Sequence, residues 1–325
     1  MAKGISLTLK KGSKWYDITP LVNTIKWSGR KGAAARSLVV TVIDDDAGGH
    51  DRLGLKLTDG NCVIFKYDGE ELFRGIIMKT NQGNKKTMSF TAYDVGIYLA
   101  NNRDTFVYKN KTATQIFKDI CKRYKLKVGK AASCKHKIPE LSKPKTTAYD
   151  AICDALAADY EATGTRHYIT SEKGNLSLIT RKENIKQWVI EVEQNIISYS
   201  YEKSIEDIKT RVKVVSKQGK TVASKKNKSL EKKIGIFQEI DSKKDQMKAA
   251  QVKSMINTIM KEQGRPKRTL NVETLGIADV ISGIGVYIII PHLGLKRTFY
   301  VDSDTHTFKG EVHTMSLTLN YANDI

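Results

Sequence analysis

The 325-residue chain has no apolar run long enough to cross a bilayer. Its densest stretch, Val286–Ile290, is five residues long, against about 20 for a membrane-spanning helix. The N-terminal MAKGISLTLKKGSKW lacks the apolar core of a secretory signal, so none is expected. Four cysteines, Cys62, Cys121, Cys134 and Cys153, show no Cys-x-x-Cys spacing. They read as reduced, packed thiols of a protein made in the cytosol. G-x-S-x-G, H-E-x-x-H and Walker motifs are missing too. The glycines of Ile281–Gly285 lie between β segments rather than ahead of a helix, which suits a turn and not a phosphate cradle. Glu70 and Glu71 flank a turn on opposite faces, poor geometry for an acid–base pair. The expectation is a chain that is not an enzyme, with no cofactor and no metal.

Lysine is what the chain has in excess. The net charge is +20. The surplus is even, +6 over residues 1–103, +7 over 104–185 and +7 over 186–325, whereas a nucleic-acid module more often concentrates it. The one local run, KQGKTVASKKNKSLEKK at 217–233, carries seven lysines and one glutamate. It reads as a solvated hairpin tip, with Lys225, Lys226 and Lys228 as possible contacts to an acidic partner. No aromatics are interleaved there, which argues against single-stranded nucleic acid.

Three regions follow from the pattern. Residues 1–103 look all-β: Ile5–Leu9 and Ser37–Ile43 alternate, and Cys62–Tyr67 meets Asp68-Gly69, a hairpin signal, before Leu72–Met78 returns. Five or six short strands so spaced suggest a barrel or sandwich. Residues 104–185 form a small α/β domain. Thr112 and Gln115 make a capping box ahead of Ala113, Ile116, Phe117, Ile120 and Tyr124 at helical spacing. A second helix begins at Thr146 or Thr147, and strands at Thr165–Thr170 and Leu176–Thr180 follow. Residues 186–325 return to β, with strands near 210–215, 234–238, 269–274 and 286–290 and a helix inserted at 242–263, capped by Ser242 with Asp245 and ended by Gly264. The fold class is therefore α+β, mostly β.

The last hairpin, DSDTHTFKGEVHTMSLTLN at 302–320, poses a choice of register. A Lys309-Gly310 loop puts His306 opposite His313, like a metal pair, but turns Asp302 and Asp304 inward. A Phe308–Gly310 loop pairs Phe299 with Leu319, Val301 with Leu317 and Ser303 with Met315, and sends Asp302, Asp304 and His306 outward. Buried carboxylates cost several kcal/mol, of order 2–5, unless paired, so the second register is expected and the two histidines share no metal.

Several stretches resemble the hub proteins of phage tails. Leu72–Ile77, Phe90–Asp94 and Gly96–Asn102 look like the end of the first barrel in the PBSX-type prophage group, XkdQ/YqbQ, which are late control protein D-like tube-to-spike adaptors. Ser204–Val215 resembles the start of their second barrel, and Phe299–Ser303 with His306 and His313–Leu319 their closing hairpin. The resemblance implies two tail-tube-like β-barrels, an α/β insert between them and a helix within the second barrel. It implies a homotrimer in the baseplate of a virion or of a tail-like bacteriocin particle, contractile tails included, assembled in the host bacterial cytoplasm. Partners would be the tail tube protein, the central spike and other baseplate proteins. Because the chain stops at Ile325, just past the last strand, no fused cell-wall hydrolase is expected. Val107–Phe117 offers a rival reading, since it is similar to the opening of a LysM cell-wall module; the alternative is thus a cell-wall or nucleic-acid binding module.

Overall fold

A computed structural model describes residues 4–43, 57–82, 87–181, 185–242 and 249–321. The first stretch of chain gives β1 Ile5–Lys11, β2 Lys14–Asp17, β3 Val22–Arg30, β4 Ser37–Ile43, β5 Cys62–Tyr67, β6 Glu70–Gln82, β7 Thr87–Asp94 and the short helix α1 Ile97–Asn101. Next come β8 Arg103–Thr112, α2 Ala113–Arg123, β9 Val128–Ala131, β10 Lys137–Thr147, α3 Ala148–Thr163, β11 His167–Glu172 and β12 Asn175–Thr180. The remainder gives β13 Ile185–Glu191, β14 Ile196–Ser204, β15 Arg211–Val215, β16 Thr221–Lys226, α4 Lys228–Ile234, β17 Gln238–Ser242 and α5 Ala249–Gln263. It closes with β18 Lys267–Leu275, β19 Gly285–Ile290, β20 Leu295–Lys309 and β21 Val312–Tyr321. The fold is mostly β.

Contacts divide the chain into two units. The first is Met1–Ser198 with Val272–Thr318, and the second is Tyr199–Asn271 with Leu319–Ile325. In the first unit the sheet order is β2-β1-β5-β6-β7-β4-β3-β20. Neighbours are antiparallel, and β19 joins β20 while β13 runs parallel to β19. Strict alternation makes this possible. Leu38, Val40 and Val42 of β4 and Met88, Phe90 and Ala92 of β7 all point to one buried face. The β5–β6 turn is Asp68-Gly69 with φ of 50° and 83°, both positive as a tight hairpin requires.

A second core in the same unit lies under the helices. The Thr112 hydroxyl accepts from the Gln115 N–H while Gln115 Oε1 accepts from the Thr112 N–H, a complete capping box. Ile116, Phe117 and Ile120 of α2 then bury against Ala151, Ile152 and Ala155 of α3. Thr147 caps α3. The helices accompany a ribbon of β8 and β10, which the sequence pattern does not announce. Lysines and two prolines, Pro139 and Pro144, hide any alternation, and prolines are tolerated in a two-stranded ribbon because each strand has a free edge.

The second unit is built on the sheet β16-β15-β17, with β17 parallel to β15. Val212 and Val214 of β15 pack against Val252 and Ile256 of α5. The Gly264 N–H donates to the Met260 carbonyl at the end of α5. Ser242 closes β17, and the rest of the cap expected there, including Asp245, lies outside the described residues. The lysine run is solvent-exposed but more than a hairpin tip. Only Ser216–Lys220 form a turn; residues 221–226 are paired to β15, and Asn227 caps a helix in 228–234. The apolar signal in these elements is weak, Val222, Ala223 and Leu230; β15 supplies the hydrogen bonds of β16 and Asn227 caps the helix.

The closing hairpin is also corrected. Its strands end at Lys309 and resume at Val312, leaving Gly310-Glu311 as the turn, with Gly310 at φ 59°. Asp304, His306 and Phe308 face inward, together with His313, Met315, Leu317 and Leu319. The inward parity wins because Phe308 has a core to fill: its ring meets Phe65 edge-on at 5.1 Å and stacks on His313 at 4.0 Å. Phe308→Ala should therefore cost about 3–5 kcal/mol, read as a fall in the urea midpoint. A loss below about 1 kcal/mol, the range of surface changes, would put Phe308 outside the core.

Candidate functional site

Two groups of residues matter for function in the sequence reading: the acids and histidines of the hairpin, and the lysine run. Each is built differently.

β3 and β20 pair with Asp304 opposite Gly29 and His306 opposite Trp27. The missing side chain at Gly29 leaves room over the strand, and the Arg36 guanidinium fills it; a methyl there would overlap the guanidinium. Arg36 grips Asp304 with two nitrogens, Nη1 at 2.9 Å to Oδ1 and Nη2 to Oδ2. The Ser282 N–H adds a third hydrogen bond to Oδ1 at 2.6 Å. Arg36 also lies over the Trp27 ring, 4.2 Å from its centroid. A carboxylate that is 2% exposed is thus fully compensated.

Asp94, on the neighbouring β7, holds the Arg36 backbone N–H at 3.1 Å and the Gly96 N–H at 2.8 Å. Burial nevertheless pushes its carboxyl up to about 6, against the pull of those two N–H groups and of Arg36.

The histidines continue the chain of contacts. The Val280 carbonyl lies 3.0 Å from His306 Nε2 and can only accept, which fixes the proton on that nitrogen. His306 Nδ1 is then an acceptor for the Nε2–H of His313, also 3.0 Å away. Two neutral rings with the same tautomer satisfy this geometry. Burial lowers His306 to about 4, against the pull of Asp304, and lowers His313 to about 3, with His306 adding to the effect. The pair the sequence argument separated is therefore together, as a hydrogen-bonded pair. Asp304 Oδ2 lies 3.6 Å from His306 Nε2, the nitrogen opposite the one that faces His313, and among the described residues no three ligand atoms converge on the pair. Asp302 is only partly buried and meets Arg181 at 3.4 Å.

The basic run presents a different surface. Lys225 and Lys226 end β16 and Lys228 begins α4; all three are exposed. Lys225 Nζ donates to Asn257 Oδ1 on α5 at 2.6 Å, so it lies on the helix side of the sheet with Ala223. Strand alternation sends Lys226 and the exposed Val222 to the other side. Glu231, the one acid of the run, is taken by Arg211 Nε at 2.9 Å. What remains for a partner is a positive surface around Lys226 and Lys228.

Two outcomes test these readings. Arg36→Met or Asp304→Leu alone should destabilise by about 3–5 kcal/mol, because each strands a buried charge, and the double variant should recover most of the loss. Additive losses would deny the pairing. The histidines also set a pH dependence. Between about pH 4 and 6.5 the unfolded chain binds protons on His306 and His313 that the folded chain refuses, so stability falls as pH drops. Asp94 opposes this between about pH 4 and 6, because its raised pKa makes the folded chain hold a proton there. His313→Phe, which keeps the stack on Phe308, should make the acid loss shallower in chemical denaturation at pH 5 against pH 7. An unchanged slope would mean His313 protonates freely in the folded chain.

Comparison with known proteins gives a consistent result over nearly the whole chain. The chain is 34% identical over 317 residues to the phage-like element PBSX protein XkdQ of Bacillus subtilis strain 168, covering 96% of each chain. Its fold matches the 43 kDa tail protein of prophage MuSo2 from Shewanella oneidensis with a TM-score of 0.75, over 98% of this chain and 99% of that one, at 14% identity. It also matches the tail protein from Neisseria meningitidis MC58 with a TM-score of 0.74, over 98% and 97%, again at 14% identity. The model of the YQBQ-like family covers residues 25–320, and the chain belongs to that family.

Proposed function

We propose that this chain is a structural, non-enzymatic subunit of the baseplate hub of a phage or phage-tail-like particle, a homotrimer that joins the six-fold tail tube to the three-fold spike. The observation that carries this reading is end-to-end similarity to a protein of a phage-like element, together with a fold shared along its length with two tail proteins. The physical reason for such a subunit is symmetry. A six-fold tube cannot end on a three-fold tip without an adaptor, and a subunit with two similar β parts offers six near-equivalent contacts on one side and three on the other. In this reading residues 1–103 and 186–325 each supply one tube-like barrel, and 104–185 is the insert between them. Exposed strand edges would be covered by neighbouring subunits and by the tube. Exposed apolar side chains on β13, Ile185, Trp188 and Val189, suit such cover. The surface around Lys226 and Lys228 would meet an acidic neighbour in the baseplate.

The reading is tested by deleting the gene from a lysogen and examining induced particles. Loss of complete tails, restored by the gene in trans, is the expected outcome. Normal tails without the protein would refute it. Replacing Lys226 and Lys228 by Ser should leave the fold intact but weaken assembly and reduce its sensitivity to salt; assembly with unaltered yield and salt response would remove the lysines from the interface.

A further inference from the structure

The first unit contains a second polar cluster, far in sequence from the hairpin histidines. Cys134 sits in the segment between β9 and β10, Asp159 near the end of α3, and His167 at the start of β11. All three side chains are withdrawn from solvent: Cys134 and Asp159 are 4% and 1% exposed, and the His167 side chain is 4% exposed. Cys134 Sγ lies 3.7 Å from His167 Nδ1, and Asp159 Oδ2 lies 3.6 Å from the same nitrogen. One donor atom from each residue falls within 4.8 Å of the other two.

Convergence on one ring nitrogen decides what this cluster is built for. In a nucleophilic relay the thiol and the carboxylate occupy opposite nitrogens of the imidazole, so that a proton passes through the ring. Here both approach Nδ1. That arrangement cannot relay a proton through the ring, but it is the arrangement of three ligands around a common point. Tetrahedral zinc with bonds of about 2.3 Å to sulfur and about 2.0–2.2 Å to nitrogen and oxygen separates its ligand atoms by about 3.3–3.6 Å, close to the two separations observed. A buried carboxylate such as Asp159 is a suitable cation ligand, since a bound cation would offset the cost of its burial.

The surroundings hold each group in place. The His136 N–H donates to Asp159 Oδ1 at 3.1 Å, while Oδ2 lies toward His167 and accepts a long hydrogen bond from the Thr163 hydroxyl at 3.5 Å. The Thr114 hydroxyl accepts from the Cys134 N–H at 2.8 Å and donates to the Ala132 carbonyl at 2.6 Å, pinning the segment that carries the thiol to α2. Burial raises the Cys134 thiol above its usual pKa. A cavity of about 290 Å³ has His167 in its wall.

We propose that Cys134, Asp159 and His167 form a transition-metal site of the zinc class, completed by a water, that ties the segment before β10, helix α3 and strand β11 together. Mixed sulfur, nitrogen and oxygen donors favour zinc or its neighbours over magnesium or calcium. The sequence expectation of no metal rested on the closing hairpin and on cysteine spacing; a spacing test finds only ligands close together in the chain, and Cys134, Asp159 and His167 are not.

The test uses the full chain without a histidine tag, stripped with chelator and titrated with cobalt(II). A thiolate-to-cobalt charge-transfer band saturating at one equivalent, displaced by zinc, is expected. Cys134→Ser should abolish the band while circular dichroism stays native, and Asp159→Asn should weaken cobalt binding at least tenfold. Should Cys134→Ser fail to fold, Asp159→Asn and His167→Gln carry the same comparison through the cobalt affinity. No thiolate band in folded wild-type protein, or a band unchanged in Cys134→Ser, overturns the proposal; the second result would assign the ligand to Cys62, Cys121 or Cys153.

Discussion

Arg36 must reach Asp304 before the last hairpin can face inward. Gly29 opens the space, the guanidinium fills it, and the carboxylate is held by two guanidinium nitrogens and the Ser282 N–H. With that charge compensated, the same strand parity can bury His306 and Phe308, and Phe308 completes the core formed by Phe65, Val40 and Phe90. β20 therefore does two jobs. It pairs with β3 of the N-terminal strands and with β19 of the C-terminal ones, so strands nearly 300 residues apart in the chain form one sheet in the first unit. Such long-range pairing is slow to form and costly in chain entropy, and a buried, two-pronged ion pair fixes its register. A one-residue slip would expose Phe308 and turn Thr305 and Thr307 inward.

Sequence reasoning saw the elements whose side chains alternate and missed those whose partners are remote. Strands β4 and β5 were legible to the residue, because Ser37–Ile43 and Cys62–Tyr67 carry their burial pattern in their own composition. The caps of α2 and α3 were legible because Thr112 and Thr147 act within three residues of themselves. The β8–β10 ribbon was not, since lysines and prolines carry no apolar period there. The lysine run is exposed, and its strand was missed because its pairing comes from β15 and its contact to α5 rather than from an apolar period of its own. The hairpin register failed for the same reason. The rule against burying carboxylates was sound, but the exception it allows, a charge partner, lay 268 residues away at Arg36. Cys134, Asp159 and His167 escaped notice because no short spacing links them; the fold alone brings them together.

The chain belongs to the YQBQ-like family and shares its fold with tail proteins. In the proposed hub role a subunit would have to be rigid where it meets the tube and specific where it meets its neighbours. The buried Arg36–Asp304 pair and the histidine pair would serve the first need by fixing one strand register. The exposed face of the second unit that carries Lys226 and Val222 would serve the second. The most direct test is an electron cryo-microscopy reconstruction of the particle tip at side-chain resolution. The account predicts three copies around the axis, with residues 1–103 and 186–325 of each superimposing as neighbouring members of one six-part ring under the tube. Six copies, or one ring built from only one of those two regions, would contradict it.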